Sequence, residues 1–346
     1  MNKSRKSIFS KKWLAILFGV LIILLFIPTP YYLNQPGSIE ALASKVTVED
    51  GTKSEKGSLN LTTVYSIKVN NPYIYLYGLV APHTEIRKEE EVKGNLSDEE
   101  YNKLMLHMMA TSKQNAIVAS LHAAGKKVEF TYNGIFVAQV LDNSKAKSII
   151  QVGDIIKKVD GKSFTKSEKL IAYLKEKQAG DIVHLEFLHG KEKKEADVEV
   201  IELDKRTGQV GIGIAPEDNM TIHPSVDVEI NSENIGGPSA GFMFSLEVYN
   251  QIVKEDLTRG YKIAGTGTMD AEGNVGQIGG IKHKIVAAHK EDVDIFFYPR
   301  DITEYDTNEK EIKEQVKEEG YTDIKIVPVS TLQEAIDYLE KLPEKK

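Results

Sequence analysis

Gly236-Gly237-Pro238-Ser239-Ala240-Gly241 follows an alternating run, Val226-Asp227-Val228-Glu229-Ile230, and leads into residues 242–253, an apolar segment with helical spacing. This order predicts a strand, a sharp glycine- and proline-lined turn carrying a serine, and a helix. The helix would aim its free N–H groups and positive dipole end beside the Ser239 hydroxyl, a setting that suits an oxyanion. A serine before a helix is also an ordinary N-cap, accepting from a backbone amide and doing no chemistry.

A second stretch weighs against the capping alternative. In Gly276-Gln277-Ile278-Gly279-Gly280-Ile281-Lys282-His283-Lys284-Ile285-Val286-Ala287-Ala288 a lysine enters an apolar helical pattern just after a glycine turn. Spacing of three and four residues places Lys284 beside Ile281 and Ala288, with Ile285 next along the helix. A serine hydroxyl becomes a nucleophile only when a base takes its proton, and lysine serves as that base only when neutral. At the reference pKa of about 10.4, roughly one lysine in two thousand is neutral at pH 7. Burial lowers that pKa toward the ~7–8 that general-base catalysis uses. Lys282 and Lys290 have polar neighbours and read as solvated.

Together these stretches resemble the proteolytic domain of Lon-type serine proteases, which use a Ser-Lys dyad. The likeness rests on Gly237-Pro238-Ser239-Ala240-Gly241, Gly265-Thr266-Gly267 and Gly279-Gly280-Ile281-Lys282-His283-Lys284. It implies that Ser239 is the nucleophile, Lys284 the general base and Thr266 a hydroxyl near the lysine, with Gly237, Pro238 and Ala240 shaping the turn. Gly236 stands where ATP-dependent Lon enzymes often carry an acidic residue.

The 346 residues carry a formal net charge of −7, are 41% hydrophobic and 27% charged, and include no cysteine. That length suits two globular domains with appendages. Mixed charge without a long basic block outside the N-terminus argues against a nucleic-acid partner, and disulfides, thiol nucleophiles and Cys-ligated zinc are excluded. There is no phosphate-binding loop of the Gly-x-x-x-x-Gly-Lys-Ser/Thr kind and no His-Glu-x-x-His. The expectation is therefore no cofactor, no metal and action without ATP.

Lys3, Arg5, Lys6, Lys11 and Lys12, with no acid among residues 1–12, precede an uninterrupted apolar run over residues 13–27, closed by Pro28-Thr29-Pro30-Tyr31-Tyr32. This pattern predicts a single-pass signal anchor over 13–33 with its N-terminus cytoplasmic and the body of the chain outside. A cleaved signal peptide is the competing reading, with Ala41-Leu42-Ala43 as the small-residue site.

Residues 34–56 read as a linker and residues 59–80, through Tyr65, Ile67, Val69, Tyr73, Tyr75 and Tyr77, as strands. Ser97-Asp98-Glu99-Glu100 is a capping box opening a long helix that Gly125 closes. Within residues 129–203, Val152-Gly153-Asp154-Ile155-Ile156 and Asp160-Gly161-Lys162 resemble the PDZ domains of bacterial exported proteases. In that resemblance Asn133-Gly134-Ile135-Phe136 is the peptide-binding loop and residues 167–177 form the facing helix. A sealed unit that only spaces the catalytic domain is the alternative.

The expected fold is α+β: one N-terminal transmembrane helix, then a Lon-type proteolytic domain (residues 57–128 and 204–346) with a PDZ domain inserted. The resemblance, closest to the PDZ-containing Lon-like proteases of Gram-positive bacteria, implies an ATP-independent serine endopeptidase at the cell membrane. Its substrates would be extracytoplasmic peptides or unstructured segments, secreted signalling peptides among them. A catalytically latent PDZ adaptor is the alternative. Lon proteolytic domains form hexameric rings, but the missing ATPase removes one source of ring assembly and leaves a homo-oligomer open.

Overall fold

A computed structural model describes residues 11–232 and 235–345. In chain order the elements are α1 (Lys11–Leu24), β1 (Tyr31–Ala41), β2 (Val46–Val48), β3 (Ser58–Lys68), α2 (Pro72–Val80), β4 (Glu85–Lys88), α3 (Glu89–Lys93) and α4 (Asp98–Ala123). Then come β5 (Val128–Val140), β6 (Ile155–Val159), β7 (Lys162–Ser163), α5 (Ser167–Lys175), β8 (Ile182–His189), β9 (Glu192–Glu199), β10 (Ile201–Asp204), β11 (Gln209–Gly211) and β12 (Ile214–Pro224). The last part holds β13 (Val228–Ile230), α6 (Gly241–Ile252), β14 (Lys262–Gly265), β15 (Thr268–Met269), β16 (Val275–Gly276), α7 (Ile281–Lys290), β17 (Ile295–Pro299), α8 (Asn308–Glu319), β18 (Lys325–Val329) and α9 (Leu332–Glu340).

Two large sheets organise the molecule. The first runs β18-β17-β14-β3-β1-β4, so strands from before and after residues 128–224 share it. Its β3-β14-β17-β18 half is parallel and carries α7 and α8 on its connections, while β1 pairs antiparallel with β3 and β4. A buried strand such as Ile295–Pro299, with every residue inside, fits a parallel sheet covered on both faces. The second sheet, β12-β5-β6-β8-β9, encloses a separate core of Ile135, Val137, Ile156, Leu170, Val183 and Leu185. Its β6–β7 hairpin turns on Asp160 and Gly161, both at positive φ as a two-residue Asp-Gly turn requires. Ser97 caps α4 by accepting from the Glu100 amide, and Glu100 answers by accepting from the Ser97 amide.

Several expectations are corrected. Residues 31–33 do not belong to a membrane span: they begin β1, where Leu33 is buried and pairs with Ile67 and Ile86. Helix α1 has 14 residues, about 21 Å at 1.5 Å per residue against a hydrocarbon core of roughly 30 Å. Among the described residues no helix is long and apolar enough to cross a membrane; the basic residues 3–6 lie outside the described residues. The segment read as a linker is folded, with β1 in the main sheet and β2 paired to β13. Polar composition hid this, because the pairing partners lie far away in sequence. Residues 72–80 form α2 rather than a strand: Asn71 caps it by accepting from the Tyr73 and Ile74 amides, and Pro72 occupies its first turn. The second unit does not end at residue 203, since β12 is needed to complete its sheet.

Candidate active site

The turn before α6 places Ser239 by backbone constraint. Gly237 has φ +81°, which a side chain would strain. The carbonyl of Pro238 accepts from Ser112 Oγ of α4 at 3.0 Å. The Ser239 carbonyl accepts twice, from the Gly267 amide at 3.0 Å and from Thr266 Oγ1 at 3.0 Å. Ser239 does not act as a cap: Ala240 occupies the N-cap position of α6 without a side-chain bond. The first two amides of α6 are engaged by the turn and its neighbour, Gly241 donating to the Pro238 carbonyl at 3.2 Å and Phe242 to the Gly267 carbonyl at 3.1 Å.

Lys284 reaches the serine from the middle of α7. It is 3% exposed, and its neighbours on the helix, Ile281, Ile285 and Ala288, are fully buried. Its Nζ stands 2.9 Å from Ser239 Oγ, 3.0 Å from Thr266 Oγ1 and 3.0 Å from the Thr62 carbonyl of β3. Burial pushes its pKa down from 10.5 to about 7, because the apolar surroundings disfavour the ammonium.

When Lys284 is neutral, the acceptors around it limit where its lone pair can point. Thr266 spends its one proton on the Ser239 carbonyl, so toward Lys284 its oxygen only accepts. The Thr62 carbonyl only accepts as well. A neutral amine has two N–H groups and one lone pair; both N–H groups are taken, and the lone pair is left for the third neighbour, the Ser239 hydroxyl. The site opens into a cavity of about 350 Å³ lined by Ser38, Glu40, Thr63, Tyr65, Ile235 and Gly236 beside Ser239 and Lys284.

Ser239, Lys284 and Thr266 are thus brought together from three elements, with Gly237, Pro238 and Ala240 around them. Thr62 and Ser112 were absent from the sequence reading. Thr62 contributes a backbone carbonyl, for which no residue type is a signature, and Ser112 is one polar position in a long helix. Among the described residues no group of side chains could hold a metal ion.

Asn133-Gly134-Ile135-Phe136 is not a peptide-binding loop. These residues lie inside β5, which is paired on one side with β12 and on the other with β6. Between the pairs Asp218↔Ile135 and Met220↔Tyr132, two residues face one, so Gly134 is a bulge glycine. A Cβ there would stand 2.6 Å from the Ile156 carbonyl. Asn133 donates to Thr221 Oγ1 at 2.8 Å, Ile135 is core, and Phe136 stacks on His107 of α4 at 3.5 Å. The terminal strand next to α5 is β12: Ser167, at the start of α5, donates through its amide and Oγ to Asp218 Oδ1 at 2.7 Å.

Residues 190–341 match the family model of the Lon protease (S16) C-terminal proteolytic domain, and residues 118–200 match that of the PDZ domain. The chain carries both. The Lon protease of Endomicrobium trichonymphae is 31% identical over 111 residues, 32% of this chain and 13% of that protein. The Lon protease of Methanosarcina barkeri is 24% identical over 233 residues, 61% of this chain and 28% of that protein. The chain therefore spans a minor part of the Lon proteases it matches. The PDZ domain of the SdrC-like protein of Listeria monocytogenes is 36% identical, covering 25% of this chain and 90% of that one, with a TM-score of 0.24. The match to a Lon proteolytic domain supports a serine protease.

Proposed function

We propose that the protein is a Ser-Lys endopeptidase that cleaves peptides or unstructured segments without ATP. The observation that carries this reading is the 2.9 Å approach of a buried Lys284 Nζ to Ser239 Oγ, with both amine N–H groups already engaged. Lys284 takes the hydroxyl proton as Ser239 Oγ attacks the scissile carbonyl. Amides of the turn at Gly237–Ala240 stabilise the oxyanion. Lys284 then protonates the leaving amine and, neutral again, activates the water that releases the acyl group. Thr266 is a positioning residue, holding the serine carbonyl and the amine at once.

Within these 346 residues there is no phosphate-binding loop, which supports cleavage without ATP-driven unfolding. The PDZ domain binds a peptide along the outer edge of β12, opposite α5, as an added strand. The apolar segment from Trp13, with the basic residues before it, attaches the protein to a membrane.

The test is cleavage of a disordered protein by the full-length chain in detergent, without nucleotide. Ser239→Ala and Lys284→Ala should each abolish it; equal cleavage by all three proteins overturns the assignment.

A further inference from the structure

We propose that α2 is a second lipid contact, lying in the headgroup region of the bilayer and fixing the height of the catalytic pocket above it. This rests on the membrane attachment proposed for α1, and goes beyond it by assigning a surface of the folded body.

Exposed apolar side chains are concentrated on a few elements. Of twenty-three large ones among the described residues, twelve lie between Trp13 and Ile27, two on β3 (Tyr65 and Ile67) and four on α2 (Leu76, Tyr77, Leu79 and Val80). Only five are scattered over the rest of the protein. A patch of this kind marks an interaction surface.

The orientation of α2 is built in. Gly78 is the residue that faces the sheet, where a Cβ would stand 2.6 Å from Leu33 Cδ1 of β1. The close approach there turns Leu76, Leu79 and Val80 outward, with Val80 81% exposed. The helix, Pro72-Tyr73-Ile74-Tyr75-Leu76-Tyr77-Gly78-Leu79-Val80, has no charged residue. Its three tyrosines, together with Tyr31 and Tyr32, have the amphipathic character of side chains that settle between acyl chains and water.

The occupant is lipid rather than protein. Helix α1 exposes Trp13, Leu14, Ile16, Leu17, Phe18, Ile22 and Ile23, which at about 100° per residue surround its circumference. A protein partner covers one face of a helix, whereas acyl chains cover every face. Helix α2 is joined to α1 by the bond from Tyr73 Oη to the Leu21 carbonyl, 2.7 Å long, so the two surfaces are continuous. Five basic residues without an acid among residues 1–12 complement anionic headgroups.

The consequence is a fixed reach. Ser38, in the lining of the catalytic cavity, is seven residues beyond Tyr31 on β1, at most about 23 Å at the ~3.3 Å rise of a strand. With α2 seated on lipid, the pocket is held within that distance of the bilayer and takes membrane-tethered chains at a bond close to their point of emergence.

The chain has no cysteine, so single cysteines at Phe18, Leu79, Val80 and, as a distant control, Ile182 can carry an environment-sensitive fluorophore. Full-length protein is mixed with vesicles of phosphatidylcholine and phosphatidylglycerol containing a lipid-borne quencher. Emission at 79 and 80 should shift to the blue and be quenched at least twofold, while 182 stays unchanged. Quenching at 18 but not at 79 or 80 overturns the role of α2 and leaves α1 as the sole contact. A blue shift at 79 and 80 that needs no vesicles and grows with protein concentration gives the face to a second copy of the chain and overturns the lipid assignment. Quenching at none of the sites overturns this inference and the membrane attachment together.

Discussion

Lys284→Met should abolish proteolysis and stabilise the fold at the same time. Burial holds Lys284 near 7 against an ordinary value of 10.5, a difference of 3.5 pH units. At 1.36 kcal/mol per unit, keeping that site at neutral pH costs about 5 kcal/mol relative to a side chain with no proton to lose. The three polar contacts of Nζ offset this by about 1 kcal/mol each. A methionine of similar volume should therefore gain about 1–3 kcal/mol at or below pH 7.

The sign is fixed by proton counting. Between pH 7 and 10.5 the unfolded chain holds a proton on residue 284 that the folded chain lacks, so wild-type stability rises with pH through that window. The variant has no such slope, and its advantage is constant below pH 7 and shrinks toward pH 10. Urea unfolding followed through the catalytic domain at pH 6, 7, 8.5 and 10, beside a Ser239→Ala control that keeps the buried lysine, measures it. A variant no more stable than wild type at pH 6–7, or an advantage that does not decline with rising pH, refutes the claim that burial holds this lysine neutral.

Proteolysis of a peptide substrate should rise with pH through about 7 and then level off, because the neutral amine is the active form; a rate that falls over pH 6–8 contradicts the base assignment. Thr266→Val should lower kcat by about 10- to 100-fold with KM little changed, since it removes one of the two acceptors that aim the lone pair of Lys284; steady-state kinetics separates the two constants. Glu247, buried on α6 and pushed up to about 7 by desolvation, binds a proton in the folded state that the unfolded chain releases above 4.5. Wild-type stability should fall between pH 4.5 and 7 on its account, and Glu247→Gln should flatten that limb of the unfolding profile. Gly134→Ala should destabilise the PDZ domain by about 1–3 kcal/mol, because φ is +118° and the Ile156 carbonyl is 2.6 Å from the new Cβ; thermal unfolding of this variant reads the loss.

The site was legible in sequence where chemistry demands a residue type in a particular local setting. A serine in a glycine turn and a lysine inside an apolar helical pattern are each unusual, and the two together single out one arrangement. The capping box at Ser97 and the turn at Asp160-Gly161 were legible because their signals are complete within four residues. What failed depended on distant partners. The strands at 31–41 and 46–48 exist through pairing with residues 58–68 and 228–230, and their polar composition carries no trace of it. Gly134 was misread because a glycine in a bulge and a glycine in a binding loop look alike until the neighbouring strand is known. The helix at 72–80 was hidden by its tyrosines, although Asn71-Pro72 held the start signal. Thr62 acts through its backbone, which no sequence pattern reports.

The placement of β12 joins the PDZ domain to Ser239 by two physical routes. Along the chain, β12 ends at Pro224, β13 follows at Val228–Ile230, and the turn holding Ser239 comes next. Across space, α4 touches both sides. His107 stacks on Phe136 and approaches Glu217 of β12 at 3.1 Å, while Ser112, five residues later on the same helix, holds the Pro238 carbonyl. Lys113 adds a bond to the Ile230 carbonyl at 3.4 Å. A peptide added to the outer edge of β12 would therefore press on the strand that leads to Ser239 and on the helix that braces its turn. Differential binding to two positions of that strand is all that coupling requires. His107→Ala, which leaves the Ser239–Lys284 contact untouched, should separate the two: it should weaken any effect of a PDZ ligand on kcat while PDZ binding itself persists. Unchanged coupling in that variant would show that the His107 contacts do not carry it.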